Sequence, residues 1–261
     1  MTLMLRSESY QRILHKMGYY EYQHGLIFRH LSQEEGWNRH LEKCRDFILK
    51  AAERVRPKKV TVLGSGWLLE VPVLELSEKV EKVILVDIVH PPEVRKQTVE
   101  MKNIEVSEQD VSGGLIKEVW DKGGRFNFLS KMRSLDDIKI PQYRFHGDPG
   151  MVVSVNILTQ LEILPERFLK RHTRVSEEEY LKFRTEVQRN HIKSLGGYRA
   201  VIITDTSETI TEKNGSVTEK KTLLAELPKG SYSESWTWDF DLRSQDYNMQ
   251  KSVLSVTAII I

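Results

Sequence analysis

Apolar side chains recur at helical spacing in the first part of the chain. From about residue 7 to residue 57 they return every three or four positions, as Leu41, Cys44 and Ile48 illustrate. This spacing places them on one face of a helix, and Pro57 ends the pattern because proline cannot continue it. The first fifty or so residues are therefore predicted to be helical.

Short runs of β-branched residues then alternate with helical segments. Strands are predicted at residues 59–63, 82–86, 104–107, 151–155 and 198–204. Helices are predicted at residues 68–76, 91–101, 159–170 and 176–195, the last opened by a capping box of Ser176 and Glu179. Strands that alternate with helices build a parallel sheet with right-handed crossovers and helices on both faces.

The last quarter of the chain departs from this alternation. Asn214-Gly215 stands between two runs of alternating polar and β-branched residues within 208–223, which predicts a polar, protruding β-hairpin. Residues 235–242 and 251–261 are strand-like and too close together for a helical crossover, so we expect them to pair antiparallel. The final run, VLSVTAIII, has almost no polar side chain, which indicates a strand covered on both faces inside the sheet.

Neither periodicity holds between residues 123 and 150. This stretch is predicted to be a long loop with one helical turn at most, and such loops in compact domains are usually functional or disordered. With 261 residues and 39% hydrophobic side chains, the chain suits one α/β domain with additions. We expect that domain over residues 41–261, preceded by an N-terminal helical extension, or lid, over residues 1–40.

Composition excludes several classes of function. The 39 basic and 37 acidic residues are mixed along the chain and leave a net charge of +2, so no nucleic-acid partner is predicted. The lone cysteine, Cys44, excludes an intrachain disulfide and is predicted to be a buried helix residue. The N-terminus lacks the apolar stretch of a signal peptide or membrane span, which predicts a cytoplasmic protein without a membrane partner. The eight histidines are scattered, so no metal site is predicted.

A glycine turn is the central chemical feature. In VTVLGSGWLLE a buried strand runs into Gly64-Ser65-Gly66, where glycines let a ligand approach the backbone and a helix N-terminus would offer free amides. A tight turn with nothing bound would give the same pattern. Asp87 ends the next strand, where it can accept hydrogen bonds from both ribose hydroxyls of a nucleoside-containing cofactor.

Three more residues end or follow predicted strands of the sheet. Ile88 is placed either to pack on an adenine ring or to make an ordinary apolar contact. Asp110 is placed either to accept from the exocyclic amine of adenine or to cap a helix that starts near residue 113. Asn156 ends the fourth strand, so it would face the reactive end of a cofactor bound along the carboxyl edge of the sheet.

With these residues the chain resembles the class I S-adenosylmethionine-dependent methyltransferases over roughly residues 41–261. The resemblance implies a Rossmann-like, seven-stranded, mostly parallel sheet whose terminal antiparallel strand is inserted between two others. It also implies S-adenosylmethionine as the cofactor and methyl transfer to an acceptor, here expected to be a small molecule. The cofactor-binding residues it implies are Gly64, Ser65, Gly66, Trp67, Asp87, Ile88, Asp110, Val111 and Asn156.

Two positions depart from the family pattern. Val62 stands where the family often has an acid that contacts the cofactor's amino-acid part, and Leu68 stands where it often has a third glycine. A binding or partner module that keeps the fold without the chemistry is therefore one alternative. An NAD(P)-dependent dehydrogenase is another, and it fits less well because Leu69 replaces the third glycine of GxGxxG.

Methyl transfer demands no fixed catalytic residue, because the cofactor supplies the electrophile. Contacts to the acceptor are predicted in the N-terminal segment and in the long loop. The candidates are Tyr22, His24, Arg29, His30, Tyr143 and His146. Aromatic packing and solvated polar positions are the competing interpretation of these residues. The sequence names neither the acceptor nor the oligomeric state.

Overall fold

Three helices open the chain in this computed structural model, which describes residues 7–124, 131–242 and 250–261. They are α1 (Glu8–Met17), α2 (Tyr19–Ser32) and α3 (Glu34–Val55). The predicted helical region is therefore interrupted, first at Gly18, whose φ of 88° ends α1, and again at Gln33. The last of these helices does end just before Pro57, as predicted.

The remaining elements alternate as the sequence predicts. They are β1 (Lys59–Leu63), α4 (Val73–Lys79), β2 (Lys82–Asp87), α5 (Pro92–Thr98), β3 (Ile104–Glu108), α6 (Leu115–Gly123), β4 (Met151–Val155), α7 (Ile163–His172), α8 (Glu177–Leu195), β5 (Ala200–Thr211), β6 (Val217–Lys221), β7 (Tyr232–Asp241) and β8 (Lys251–Ile260). Every predicted strand is present. In the described part of the chain, no helix is long and apolar enough to cross a membrane.

The strands form one sheet in the order β3-β2-β1-β4-β5-β8-β7, with β6 beside β5. The first five pair parallel, whereas β8 runs antiparallel to both of its neighbours. The all-parallel dinucleotide-binding sheet has no such inserted strand. This order confirms the Rossmann-like methyltransferase fold, including the terminal strand placed inside the sheet and the added hairpin of β5 and β6.

Helices cover both faces of the sheet. Ile48 of α3 packs in the same apolar cluster as Val62 of β1, and Leu195 of α8 packs with Val152 on the opposite face. Position 40, where the sequence predicts the end of the N-terminal extension, lies inside α3. The division of the chain into an extension and a core domain stays a prediction.

The segment after the glycine turn is not the helix predicted at residues 68–76. Residues 67–72 form an irregular loop, and α4 begins only at Val73. Leu68 has a left-handed φ of 62°, which a helix does not allow, and Pro72 stands at the N-cap. The Arg45 side chain donates from Nε to the Leu69 carbonyl oxygen over 2.9 Å and fixes the path of this loop.

The predicted capping box of α8 is only half formed. The Ser176 hydroxyl accepts from the Glu179 backbone N–H over 3.3 Å, as predicted. The Glu179 carboxylate does not reach back to its own helix but accepts from the Leu135 backbone N–H over 3.0 Å. It thereby ties the long loop to α8. Residues 131–150 of that loop contain no helix or named strand, and residues 125–130 lie outside the described residues.

Candidate functional site

A cleft lies at the carboxyl edge of the sheet, under α2. Its empty space amounts to about 980 Å³ when the part that is open to solvent is counted. Of the nine predicted cofactor-binding residues, eight line it: Gly64, Gly66, Trp67, Asp87, Ile88, Asp110, Val111 and Asn156. The ninth, Ser65, is buried beside it, where its hydroxyl lies 2.8 Å from His90 Nε2.

The glycine turn passes very close to the end of β4. Gly64 has a φ of 82°, and a Cβ atom there would lie 2.6 Å from the Val155 carbonyl oxygen. Only glycine fits, because a side chain would meet backbone that cannot move aside. The turn therefore keeps the backbone of β1 and β4 in contact at the floor of the cleft.

Asp87 holds the glycine turn from the end of β2. Its Oδ2 atom accepts from the Gly66 backbone N–H over 2.8 Å, and its Oδ1 atom accepts from the Ile88 backbone N–H over 2.7 Å. Burial raises the pKa of the Asp87 carboxyl to about 6, partly opposed by these backbone hydrogen bonds. Each carboxylate oxygen has a second lone pair, so the residue can still accept from ribose hydroxyls. The sequence did not reveal its structural role.

Asp110 is bound by the N-terminal helix rather than used as a helix cap. Its Oδ1 atom accepts from the Ser112 backbone N–H over 2.9 Å and from the Ser112 hydroxyl, and the Tyr10 hydroxyl donates to Oδ2 over 3.2 Å. The next helix, α6, begins after Gly114 without a side-chain cap. The helix-cap interpretation of Asp110 is therefore wrong, because the carboxylate closes a local turn instead.

We expect Tyr10→Phe to lower the free energy of unfolding by about 1.5 to 3 kcal/mol, the usual size for a hydrogen bond to a charged group. The substitution keeps the buried ring and removes only the donor to Asp110. Urea denaturation measures the change, with Tyr20→Phe on the half-buried Tyr20 as the control. Equal stability of the two variants would show that the Tyr10 hydroxyl contributes nothing.

Asn156 joins the cleft to a buried histidine. One amide atom of its side chain lies 2.9 Å from His40 Nε2 and 3.3 Å from Glu70 Oε1. His40 Nδ1 accepts from Trp236 Nε1 over 3.0 Å, and burial lowers the pKa of His40 to about 3. A neutral ring whose Nδ1 accepts carries its proton on Nε2. We therefore assign the amide oxygen of Asn156 to the position facing His40.

This assignment leaves the amide nitrogen of Asn156 buried without a partner among the described residues. Trp238 Nε1 and Gln23 Oε1, which belong to two other residues of the cleft lining, are also buried and unpartnered within the described ranges. Asn156 itself has a left-handed φ of 48°. Unpaired buried polar atoms and a strained backbone are typical of a site that binds a ligand.

The predicted acceptor-binding residues divide between two places. Tyr22 lines the cleft, while His24 is exposed beside Trp67, with ring centroids 6.5 Å apart. Arg29 lies 4.4 Å from the centre of the Phe240 ring, and the His30 ring lies 5.5 Å from the Trp37 ring. These four all belong to α2, which covers the cleft.

Tyr143 and His146 are not among the residues that line the cleft, so their role as acceptor contacts stays a prediction. Tyr143 is buried and donates to Gln109 Oε1 over 2.7 Å, while His146 is exposed. The loop that carries them must enter β4 at its amino end, on the opposite edge of the sheet. There the Lys59 ammonium donates to the Asp148 carbonyl oxygen over 2.8 Å.

Sequence reasoning missed Glu70, Gln23 and Trp238, which line the cleft, and His40, which positions Asn156. Trp238 belongs to β7, and its ring stacks on His40 with centroids 3.8 Å apart. No group of three or more His, Cys, Asp or Glu side chains within the described ranges is arranged to hold a metal ion.

No protein-family model and no curated protein sequence matches the chain. Three solved structures have a similar fold. The methyltransferase domain of bacterial CtHen1 is 13% identical, with a TM-score of 0.35, and the match covers 85% of this chain and 100% of that one. DhpI in complex with S-adenosylhomocysteine is 13% identical, with a TM-score of 0.28 and coverage of 91% and 98%, and the glycopeptide N-methyltransferase MtfA with S-adenosylhomocysteine is 15% identical, with a TM-score of 0.31 and coverage of 84% and 71%. The fold of this chain follows from its strand order.

Proposed function

We propose that the protein is an S-adenosylmethionine-dependent methyltransferase that acts on a small-molecule acceptor. The observation that supports this most is the meeting of the glycine turn, Asp87, Asp110 and Asn156 in one cleft at the carboxyl edge of the sheet. The cofactor fits the residues present, because the buried unpartnered atoms of Gln23, Asn156 and other lining residues would gain hydrogen-bond partners.

Each part of the cofactor would have its own residues. Asp87 would accept from the ribose hydroxyls, Ile88 would pack on the adenine ring, and Asp110 would accept from the adenine amine. When bound, the cofactor supplies an electrophilic methyl group. The chain orients the reactants and excludes water: the Trp67 indole N–H donates to the Gln23 carbonyl oxygen over 3.0 Å and holds α2 over the cleft.

The lining of the cleft limits the acceptor. Its charged side chains in the described part of the chain are all acidic, namely Glu70, Asp87 and Asp110. An acceptor with phosphate or carboxylate groups would meet no countercharge there. Trp37 and Trp238 form an aromatic wall, with ring centroids 4.8 Å apart. We infer an uncharged or cationic acceptor that is small enough to lie under α2.

We expect S-adenosylhomocysteine to bind and to raise the melting temperature, since a ligand that binds only the folded state stabilises it by about 2.7 kcal/mol at a hundredfold excess over Kd. Isothermal titration and thermal unfolding measure this, with NADH as the comparison ligand. Absence of binding up to about 1 mM S-adenosylhomocysteine would contradict the proposal. Binding of NADH alone would favour a dehydrogenase.

A further inference from the structure

The charge that the family often places in β1 is absent from this chain. Val62 stands at that position, fully buried in the apolar core, and offers nothing to a ligand. S-adenosylmethionine carries an ammonium group on its amino-acid part, and a buried ammonium needs a carboxylate or several oxygen acceptors. Another residue of the cleft must supply that partner if the cofactor binds.

Glu70 lies beside Asn156, which follows β4. It is partly buried, lines the cleft, and lies on the irregular loop between the glycine turn and α4. The left-handed backbone of Leu68 and the hydrogen bond from Arg45 to the Leu69 carbonyl oxygen set the path of this loop. Both features hold Glu70 beside Asn156 on the floor of the cleft.

Two acceptor oxygens meet at this point. With the amide of Asn156 oriented by His40, its oxygen lies 3.3 Å from Glu70 Oε1. A carboxylate oxygen and an amide oxygen at this distance repel each other unless a proton or a cation lies between them. Burial raises the pKa of Glu70, partly opposed by the Arg45 guanidinium. Arg45, the nearest basic side chain, is engaged by the Leu69 carbonyl oxygen.

We propose that Glu70, together with the amide oxygen of Asn156, binds the ammonium group of the cofactor's amino-acid part in place of the acid missing from β1. The inference rests on the proposed function. An ammonium group has three donors on one charge, so it can donate to both oxygens at once. It thereby removes the repulsion between them.

The test compares three ligands on the wild-type protein and on Glu70→Gln: S-adenosylhomocysteine, its analogue without the amino group, and 5′-methylthioadenosine, which lacks the whole amino-acid part. We expect Glu70→Gln to weaken S-adenosylhomocysteine binding about 10- to 100-fold, the usual range for a hydrogen bond to a charged group. Binding of 5′-methylthioadenosine should change less than about twofold. The wild-type protein should bind the deaminated analogue about 10- to 100-fold more weakly than S-adenosylhomocysteine. The Glu70→Gln variant should bind these two ligands with equal affinity.

Glu75→Gln serves as the matched control, because Glu75 is exposed on α4 outside the cleft. A folded Glu70→Gln variant with unchanged affinity for S-adenosylhomocysteine would overturn the inference and leave the proposed function standing. Should that variant not fold, equal wild-type affinity for S-adenosylhomocysteine and its deaminated analogue would overturn it as well. Wild-type protein that binds none of the three ligands would instead contradict the proposed function.

Discussion

Deletion of residues 252–261 should leave the chain unfolded or insoluble. These residues make up most of β8, which pairs with β5 through Ile259 and with β7 through Val256. The deletion also removes four large buried side chains, Leu254, Val256, Ile259 and Ile260. At about 1.5 to 3 kcal/mol each, they amount to about 6 to 12 kcal/mol, which matches the whole stability of a typical domain.

Circular dichroism and size-exclusion chromatography of the truncated chain measure this effect. A shortened hairpin is the matched control. Deletion of residues 212, 213 and 216 leaves Asn214-Gly215 between Thr211 and Val217, which already pair directly. That deletion removes mostly exposed or half-exposed residues, so it should leave the melting transition nearly unchanged. A soluble 1–251 chain with an unaltered transition would contradict the role of β8 as an interior strand.

The sheet could be predicted because its signals are local. The run MVVSV is buried at every position in β4, as expected of a parallel strand covered on both faces. The place of β8 followed from two further signals, its apolar sequence and its short connection to β7. Residues 252–257 of β8 alternate between buried and half-buried, so one face of the strand is only partly covered there. From Ala258 to Ile260 both faces of the strand are buried.

The loop at residues 67–72 could not be predicted, because distant residues determine it. A run such as WLLEVPVLEL has helical periodicity, and only the hydrogen bond from Arg45 and the left-handed Leu68 reveal another path. The same holds for the partners of Asn156. His40 is 116 residues away in sequence, and no local pattern joins the two.

The positions of Tyr143 and His146 could be predicted only in part. In a parallel sheet, the segment that precedes a strand enters at the amino edge, whereas ligands bind at the carboxyl edge. Asp148, just before β4, follows this rule, whereas Tyr143 lies farther back in the loop and donates to Gln109, which follows β3 at the carboxyl edge. Residues that follow a strand, such as Asp87 and Asn156, were placed correctly at the cleft by this rule.

Asp87→Ala should weaken S-adenosylhomocysteine binding by about 2 to 4 kcal/mol, or roughly 30- to 1000-fold, because two charge-assisted hydrogen bonds to the ribose are lost. The protein should stay folded, since the residue ends β2 at the surface of the cleft. The variant also removes the acceptor of the Gly66 and Ile88 backbone N–H groups. Asp87→Asn, which keeps one acceptor oxygen and removes the charge, separates the two effects.

Binding should also depend on pH in a way that Asp87 determines. Burial raises the pKa of its carboxyl from 3.8 to about 6, so the folded protein holds this proton more tightly than the unfolded chain. Ionisation of Asp87 therefore lowers stability as pH rises from about 4 to about 6.

Ribose hydroxyls donate to the ionised form, so wild-type affinity for S-adenosylhomocysteine should fall as pH drops below about 6. Titrations between pH 5 and pH 8 should show this fall for the wild type, and the fall should be smaller for Asp87→Asn, whose amide does not ionise. A wild-type affinity that does not change over this range, or an Asp87→Asn variant that binds as tightly as the wild type at pH 8, would remove Asp87 from the binding site.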